Sequence, residues 1–332
     1  MHLPKLFLTE PYTWKIKYYD FCPSWACNAK CPTCGAWKRD PGGVNLEQTN
    51  QLISQFRDLQ KVVIEGGEPT MWPHLEYFVE HVDAKEIGII SNAMNPPKML
   101  ELAKRFDPKK VHWAISVNGI GKTHDISRGV KGAWNKVYKS IYTLKRYGHD
   151  VRFQFMPCKE NIHELPMVAE MATRDFYGYS ICYPSEAAKF GENVKWNYLN
   201  AQETQDLMMK DMPRMSRVNR WVTEIYTEKG KKKEPWPCLY GRSKIHINPK
   251  GEIRVCPFYE GKEFVIGQLY NDRVYLDERK RKRAHKSIGP QCQYESGGMC
   301  NNEAAWYGVR HSFGFLITER MKKWFRMDYR NA

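Results

Sequence analysis

The sequence predicts an α/β fold: a partial (β/α)6 TIM-like barrel, then a small domain containing a β-hairpin, then a C-terminal helix. Three observations predict it. Short β-branched or aromatic runs alternate six times with helix-patterned segments over about residues 15–190. Short connections between such units build a parallel sheet, open or curled toward a barrel. A group of three cysteines follows the first strand, in the kind of strand-to-helix loop where barrel sites are built. Beyond residue 199 the alternation stops, and KIHINPKGEIRV (244–255) alternates on both sides of Asn248-Pro249-Lys250-Gly251, a hairpin signature.

The elements follow in order. KIKYYDF (15–21) is the first strand, and LEQTNQLISQFRDL (46–59) places Leu46, Leu52, Ile53 and Phe56 on one helical face. KVVIE (61–65) is the second strand, ended by Gly66-Gly67. HLEYFVEHV is helical, EIGIIS (86–91) is the third strand, and a helix follows near residues 97–105. VHWAISV (111–117) is the fourth strand, and GAWNKVYKSIYTLKRYG (132–148) is a helix closed by glycine. VRFQFMP (151–157) is the fifth strand, residues 162–173 the next helix, and YGYSICYP (177–184) the sixth strand. The domain division expected is 1–14 an N-terminal segment, 15–199 the barrel, 200–235 a helical linker, 236–310 the second domain and 311–332 a C-terminal helix or tail.

Hydrophobic residues make up 42% of the 332 and charged residues 27%, a globular composition that excludes disorder. There is no apolar run of membrane-spanning length, and the N-terminus is too polar for a secretory signal. The expected location is therefore cytoplasmic, with no membrane partner. The 52 basic and 37 acidic residues leave a net +15, which admits a nucleic acid, an anionic cofactor, an acidic substrate or simply a lysine-rich solvated surface. The basic runs at 231–233 and 279–286 lack the interleaved aromatics of a single-strand binding groove.

Ten cysteines in a reducing compartment read as metal ligands where they cluster. Cys27, Cys31 and Cys34 form C-x3-C-x2-C. Three thiolates hold three irons of a cubane and leave the fourth iron open, which is where a substrate or cofactor binds. A zinc site with a remote fourth ligand is the alternative. Cys238, Cys256, Cys292 and Cys300 run as C-x12-G-x4-C across the hairpin and then C-x7-C. They supply four ligands, for a closed iron–sulfur cluster or a structural zinc knuckle. Cys22, Cys158 and Cys182 read as buried strand cysteines.

Taken together, these motifs resemble the radical S-adenosylmethionine (radical SAM) superfamily over about residues 15–190. Gly66-Gly67-Glu68-Pro69 resembles the family's GGEP loop after the second strand, and Ser91-Asn92 closes the third. SVNGIGKTHDISRGVKG (116–132) is similar to the stretch after strand four, and KENIHELP (159–166) to an N-x-x-E-L segment after strand five. The resemblance implies a 4Fe–4S cluster on Cys27, Cys31 and Cys34, with S-adenosylmethionine chelating its open iron. It implies Gly66, Gly67, Glu68, Ser91, Asn92, Ser116, Arg128 and Asn161 around that cofactor. Gly66 and Gly67 would let the backbone approach the methionyl amine. Ser116 and Arg128 match positions that touch the ribose or the carboxylate, which a guanidinium pairs bidentately. The chain departs from the pattern at Thr33, where many relatives carry an aromatic residue, and at Asn118, where many carry aspartate.

The second cysteine group resembles the auxiliary-cluster region of SPASM or shorter twitch extensions. Four cysteines suffice for one further 4Fe–4S cluster, which favours twitch. The implied activity is reductive cleavage of S-adenosylmethionine to a 5′-deoxyadenosyl radical, which takes hydrogen from a substrate carbon. The auxiliary cluster would support an oxidative modification of a small molecule or short peptide segment. An external one-electron reductant, flavodoxin- or ferredoxin-like, is the implied partner. Two other readings stand beside it: modification of a nucleic acid or nucleotide, motivated by the net charge, and a non-catalytic zinc or iron–sulfur binding module.

Overall fold

The computed structural model describes residues 14–176, 178–181, 239–257 and 261–291. Period-two patterning sets each strand's two faces. In β1 (Tyr18–Phe21), Tyr19 and Phe21 are fully buried on one face. In β2 (Leu59–Ile64), β3 (Ala84–Ser91), β4 (Val111–Ser116) and β5 (Asp150–Phe155), the same face carries Val62, Ile64, Ile87, Ile89, Trp113, Ile115, Val151 and Phe153. This is the face covered by helices. The opposite face presents Lys61, Glu86, His112, Ser116 and Gln154, polar and half-buried, toward the hollow of the curled sheet. β6 (Tyr179–Ile181) pairs parallel with β5.

The crossover helices are α1 (Leu46–Gln55), α2 (Leu75–His81), α3 (Pro96–Arg105), α4 (Lys122–Arg128), α5 (Ala133–Arg146) and α6 (Leu165–Asp175). Local signals fix where they start. Asn45 and Gln48 form a reciprocal capping box on α1, and Asn95 caps α3 ahead of Pro96-Pro97. α4, only seven residues long, is an element the sequence pattern did not indicate.

β7 (Lys244–Ile247) and β8 (Glu252–Arg254) form the expected hairpin, with Gly251 at φ +73° in its turn. It does not form a sheet of its own. β7 lies parallel against β1, pairing Tyr18 with Lys244 and Phe21 with Ile247. β9 (Val265–Leu269) and β10 (Val274–Leu276) continue the sheet antiparallel, giving the order β10-β9-β8-β7-β1-β2-β3-β4-β5-β6. The hairpin region is thus joined to the barrel by backbone hydrogen bonds, a non-local pairing that chain order does not announce. The basic run at 279–286 lies in α7 (Glu278–Gln291). The linker expected at 200–235, the terminal helix at 311–332, and Cys182, Cys238, Cys292 and Cys300 lie outside the described residues. Among the described residues no helix is long and apolar enough to cross a membrane.

Candidate functional site

The loop after β1 carries Cys27, Cys31 and Cys34. Cys31 is buried and the other two are half-buried. Cys34 N–H donates to the Cys31 carbonyl at 3.1 Å, and Trp37 Nε1 donates to the same oxygen at 3.1 Å. Donors from three segments also meet the sulfurs. The Ala29 N–H lies 3.4 Å from Cys27 Sγ, Asn92 Nδ2 lies 3.8 Å from it, and Arg128 Nη1 lies 3.6 Å from Cys31 Sγ. Burial, together with Glu68 and the other two thiols, pushes the Cys27 thiol up to about 11, against the Ala29 hydrogen bond. Among the described residues, no three His, Cys, Asp or Glu side chains converge on a point as a single metal ion requires. A cubane binds each cysteine through a different iron, so its ligands need not converge.

Gly66 and Gly67 lie directly beneath this loop. A Cβ on Gly66, which sits at φ +125°, would fall 2.6 Å from Cys22 Sγ. One on Gly67 would overlap the Ala26 carbonyl and fall 2.5 Å from that of Trp25. The Gly67 and Glu68 N–H groups donate to the Ser24 and Ala26 carbonyls at 2.9 and 2.7 Å. The missing side chains therefore seat the cysteine loop against the end of β2.

Glu68 is 2% exposed, and its carboxylate accepts four hydrogen bonds. The donors are Thr70 N–H (3.2 Å), Thr70 Oγ1 (2.8 Å), Ser91 Oγ (2.8 Å) and Asn92 N–H (2.7 Å). Burial raises its pKa, and these donors oppose the rise. Ser91 Oγ also accepts from Ala93 N–H at 2.9 Å, so the Glu68 and Ser91 side chains are engaged with each other and with the loop. Asn92 donates to Asn28 Oδ1 at 2.7 Å as well as to Cys27, tying β3 to the cysteine loop.

The end of β4 reaches the same loop through α4. The Lys30 N–H donates to the Arg128 carbonyl at 2.9 Å. Gly129 closes α4 at φ +61° with its Cα flush against Lys30, whose carbonyl carbon would lie 2.8 Å from a Cβ. Arg128 is 8% exposed, and its Nε is buried without a partner. One turn earlier, fully buried His124 accepts from the Asn118 N–H at Nδ1 (3.3 Å). Burial and neighbouring Arg128 hold its pKa well below the usual range, so the ring is neutral. Sequence reasoning passed over His124, although its spacing of four from Arg128 places both on one helix face.

Ser116 stands half-buried at the end of β4. Asn161 bridges β4 and β5: Oδ1 accepts from Cys158 N–H (2.8 Å), and Nδ2 donates to the Asn118 and Met156 carbonyls (3.1 and 2.9 Å). Its amide is thus committed to backbone. Asn118 Oδ1 accepts from Met156 N–H at 3.0 Å. Cys22 and Cys158 are buried, as expected. Cys256 is buried two residues past β8, at the entry end of the parallel strands and opposite the end that carries Cys27.

The Radical SAM superfamily profile matches residues 23–172, from the cysteine loop through most of α6. Those residues carry a Radical SAM domain. Mycofactocin maturase MftC of Mycobacterium tuberculosis is 24% identical over 304 residues, spanning 87% of this chain and 74% of MftC. Two solved structures share the fold. Streptococcus suis SuiB bound to precursor peptide SuiA has a TM-score of 0.57 at 16% identity, over 73% of this chain. The match spans 60% of SuiB, less than two thirds of its length. The protein anSMEcpe with bound AdoMet and the Cp18Cys peptide has a TM-score of 0.58 at 15% identity, over 81% of each chain.

A radical SAM protein uses a 4Fe–4S cluster and S-adenosylmethionine. The residues present suit that pair. Three thiols share one loop, N–H donors face two of their sulfurs, and a buried guanidinium with an unpartnered Nε stands beside Cys31. Such donors favour negatively charged sulfur.

Proposed function

We propose that Cys27, Cys31 and Cys34 hold the cluster and that the chain modifies a peptide by removing hydrogen from a carbon. When bound, the cluster and S-adenosylmethionine together supply a 5′-deoxyadenosyl radical strong enough to break an unactivated C–H bond. The chain's own residues do the positioning. Gly66 and Gly67 seat the cysteine loop, Glu68 locks the β2 and β3 loops together, and Asn92 and Arg128 donate to Cys27 and Cys31. The Nε of Arg128 is suited to an anionic group such as the methionyl carboxylate. The observation that carries the reading is this convergence of the β1, β2, β3 and β4 loops on three thiols. The peptide part rests on MftC, named a maturase, and on the two peptide-bound structures of the same fold.

We further read Cys238, Cys256, Cys292 and Cys300 as the residues that would hold a second, closed cluster, which would supply an acceptor for the electron a substrate radical loses as it is oxidised. Supporting this, the chain shortly after position 238 packs against the segment that bears Cys256: a Cβ on Gly241 would lie 3.1 Å from the side chain of Val255. Anaerobically reconstituted protein should convert S-adenosylmethionine to 5′-deoxyadenosine, and a Cys27→Ala, Cys31→Ala, Cys34→Ala variant should not. Undiminished product from that variant would reject the cluster assignment. Stimulation of cleavage by small metabolites alone, and not by peptides, would reject the peptide part. Zinc in place of iron at the second group would reject the electron acceptor.

A further inference from the structure

Glu164 stands immediately before α6, in the segment that also carries Asn161, and its side chain is only 13% exposed. The carboxylate turns to the chain entering α4. Oε2 accepts from the Ile120 N–H at 2.6 Å, and Oε1 accepts from Thr123 Oγ1 at 2.5 Å. Gly119, at φ +139°, lies against the same group: a Cβ there would fall 2.8 Å from Glu164 Oε2 and 2.8 Å from Thr123 Cγ2. Gly121, the residue before α4, has no side chain with which to cap that helix. Glu164 supplies the anchor from another segment, 44 residues beyond Ile120. Asn161 holds the neighbouring stretch, because Nδ2 donates to the Asn118 carbonyl and the Asn118 N–H donates to His124 Nδ1. At the far end of α4, Arg128 Nη1 lies 3.6 Å from Cys31 Sγ, and the Arg128 carbonyl accepts from the Lys30 N–H at 2.9 Å. Seven helical residues span about 10 Å, too short a rod to absorb a shift at one end before it reaches the other.

We propose that Glu164 is a positioning residue: by anchoring the start of α4 it holds the Arg128 guanidinium on Cys31, and so sets how readily a cluster on that thiolate takes its electron. The redox part rests on the assignment of the cluster to Cys27, Cys31 and Cys34. A donor to a cluster sulfur favours the reduced state, and a donor on a loosely held helix spends less time within reach of it. Glutamine can do the same work as Glu164. Its oxygen accepts from the Ile120 N–H, and its amide donates to Thr123 Oγ1, because a hydroxyl accepts as well as donates. Alanine can make neither bond, and Thr123→Val removes one of the two with little change in shape.

The test uses the full chain, reconstituted anaerobically, with two readouts: amide hydrogen exchange over α4 and Lys30, and the cluster midpoint potential from an EPR-monitored titration. In Glu164→Ala, exchange in α4 and at the Lys30 N–H should rise about three- to tenfold, the effect of losing roughly one net hydrogen bond. The midpoint potential should fall in the same direction as in Arg128→Ala. Glu164→Gln should stay near wild type in both readouts, and Thr123→Val should lie between them, which guards against misfolding of the alanine variant. The deciding comparison is a double-mutant cycle. If Glu164 acts through Arg128, Glu164→Ala should leave the potential of the Arg128→Ala protein where it is. A further fall of full size in that background would overturn the proposal, as would unchanged exchange in α4 of folded Glu164→Ala, or a glutamine variant as impaired as the alanine one. A wild-type protein with no reduced-cluster signal would instead sink the cluster assignment, and the exchange comparison would still decide whether Glu164 anchors α4.

Discussion

Arg128 Nη1 donates to Cys31 Sγ at 3.6 Å, joining the last turn of α4 to the cysteine loop by a buried, charge-assisted contact. A donor to a cluster sulfur favours the extra electron of the reduced state. Removing it should make the cluster harder to reduce. Arg128→Ala should lower the midpoint potential in an EPR-monitored titration and slow 5′-deoxyadenosine formation tenfold or more, in line with about 1.5–3 kcal/mol for a hydrogen bond to a charged group. Lysine lacks the planar fork and should restore only part of the effect. Iron loss with an unchanged potential in the remaining clusters would mark Arg128 as purely structural.

Gly67→Ala should damage cluster assembly without touching a ligand. Its Cβ would overlap the Ala26 carbonyl and crowd that of Trp25, both backbone atoms of the cysteine loop. Backbone cannot rotate away as a side chain can, so the loop must move. Overpacking of this kind costs about 1–3 kcal/mol. Iron content after reconstitution should fall by up to half, and full iron content with normal cofactor cleavage would contradict the seating role.

Asp125→Ala should destabilise the barrel with no direct effect on the cysteines. The Asp125 carboxylate accepts from the N–H groups of Gly132 (2.6 Å) and Trp134 (2.8 Å), which are orphan donors at the start of α5. The expected loss is about 1 kcal/mol, the usual cost of removing a cap. Denaturant unfolding measures it, and asparagine should recover part of the loss.

The features legible in the sequence were those written locally. Val62-Val63-Ile64 and Trp113 to Ile115 announce strands because β-branched and aromatic residues fill a pleated, buried face. Asn45 and Gln48 mark the start of α1 within four residues. The helix α7 was not legible, because its buried positions are Arg281 and Ala284 in place of large apolar residues, so the run shows charge and no periodicity. The cap on α5 was hidden because Asp125 stands seven residues before Gly132, on another helix. The pairing of β7 with β1 joins residues more than 220 positions apart, beyond any local code. At the site, residue types were legible and their partners were not. Asn161 and Ser91 read as cofactor contacts, and what the sequence did not announce is that their side chains also bond backbone and Glu68.

Glu68→Gln tests whether the loop lock depends on a carboxylate. Each oxygen of Glu68 accepts from the chain, Oε1 from Thr70 and Ser91 and Oε2 from the Asn92 N–H. Glutamine has one acceptor oxygen, and its amide would face a donor in place of an acceptor. One buried N–H is then left unsatisfied, at a cost of about 1–3 kcal/mol. The pH dependence has a definite sign. Burial raises the folded-state pKa of Glu68 above its ordinary value near 4.5. Between the ordinary and the raised value, the unfolded chain has released this proton while the folded chain retains it. Wild-type stability from this group therefore falls as pH rises through that window, and is fully present below the ordinary value. Glutamine carries no such proton, so the stability gap between wild type and variant should narrow as pH rises through the window and stay constant above it. Urea unfolding of both proteins from acid to neutral pH measures the gap. A gap that widens with pH would mean that the four donors outweigh burial and hold the carboxylate below its ordinary pKa.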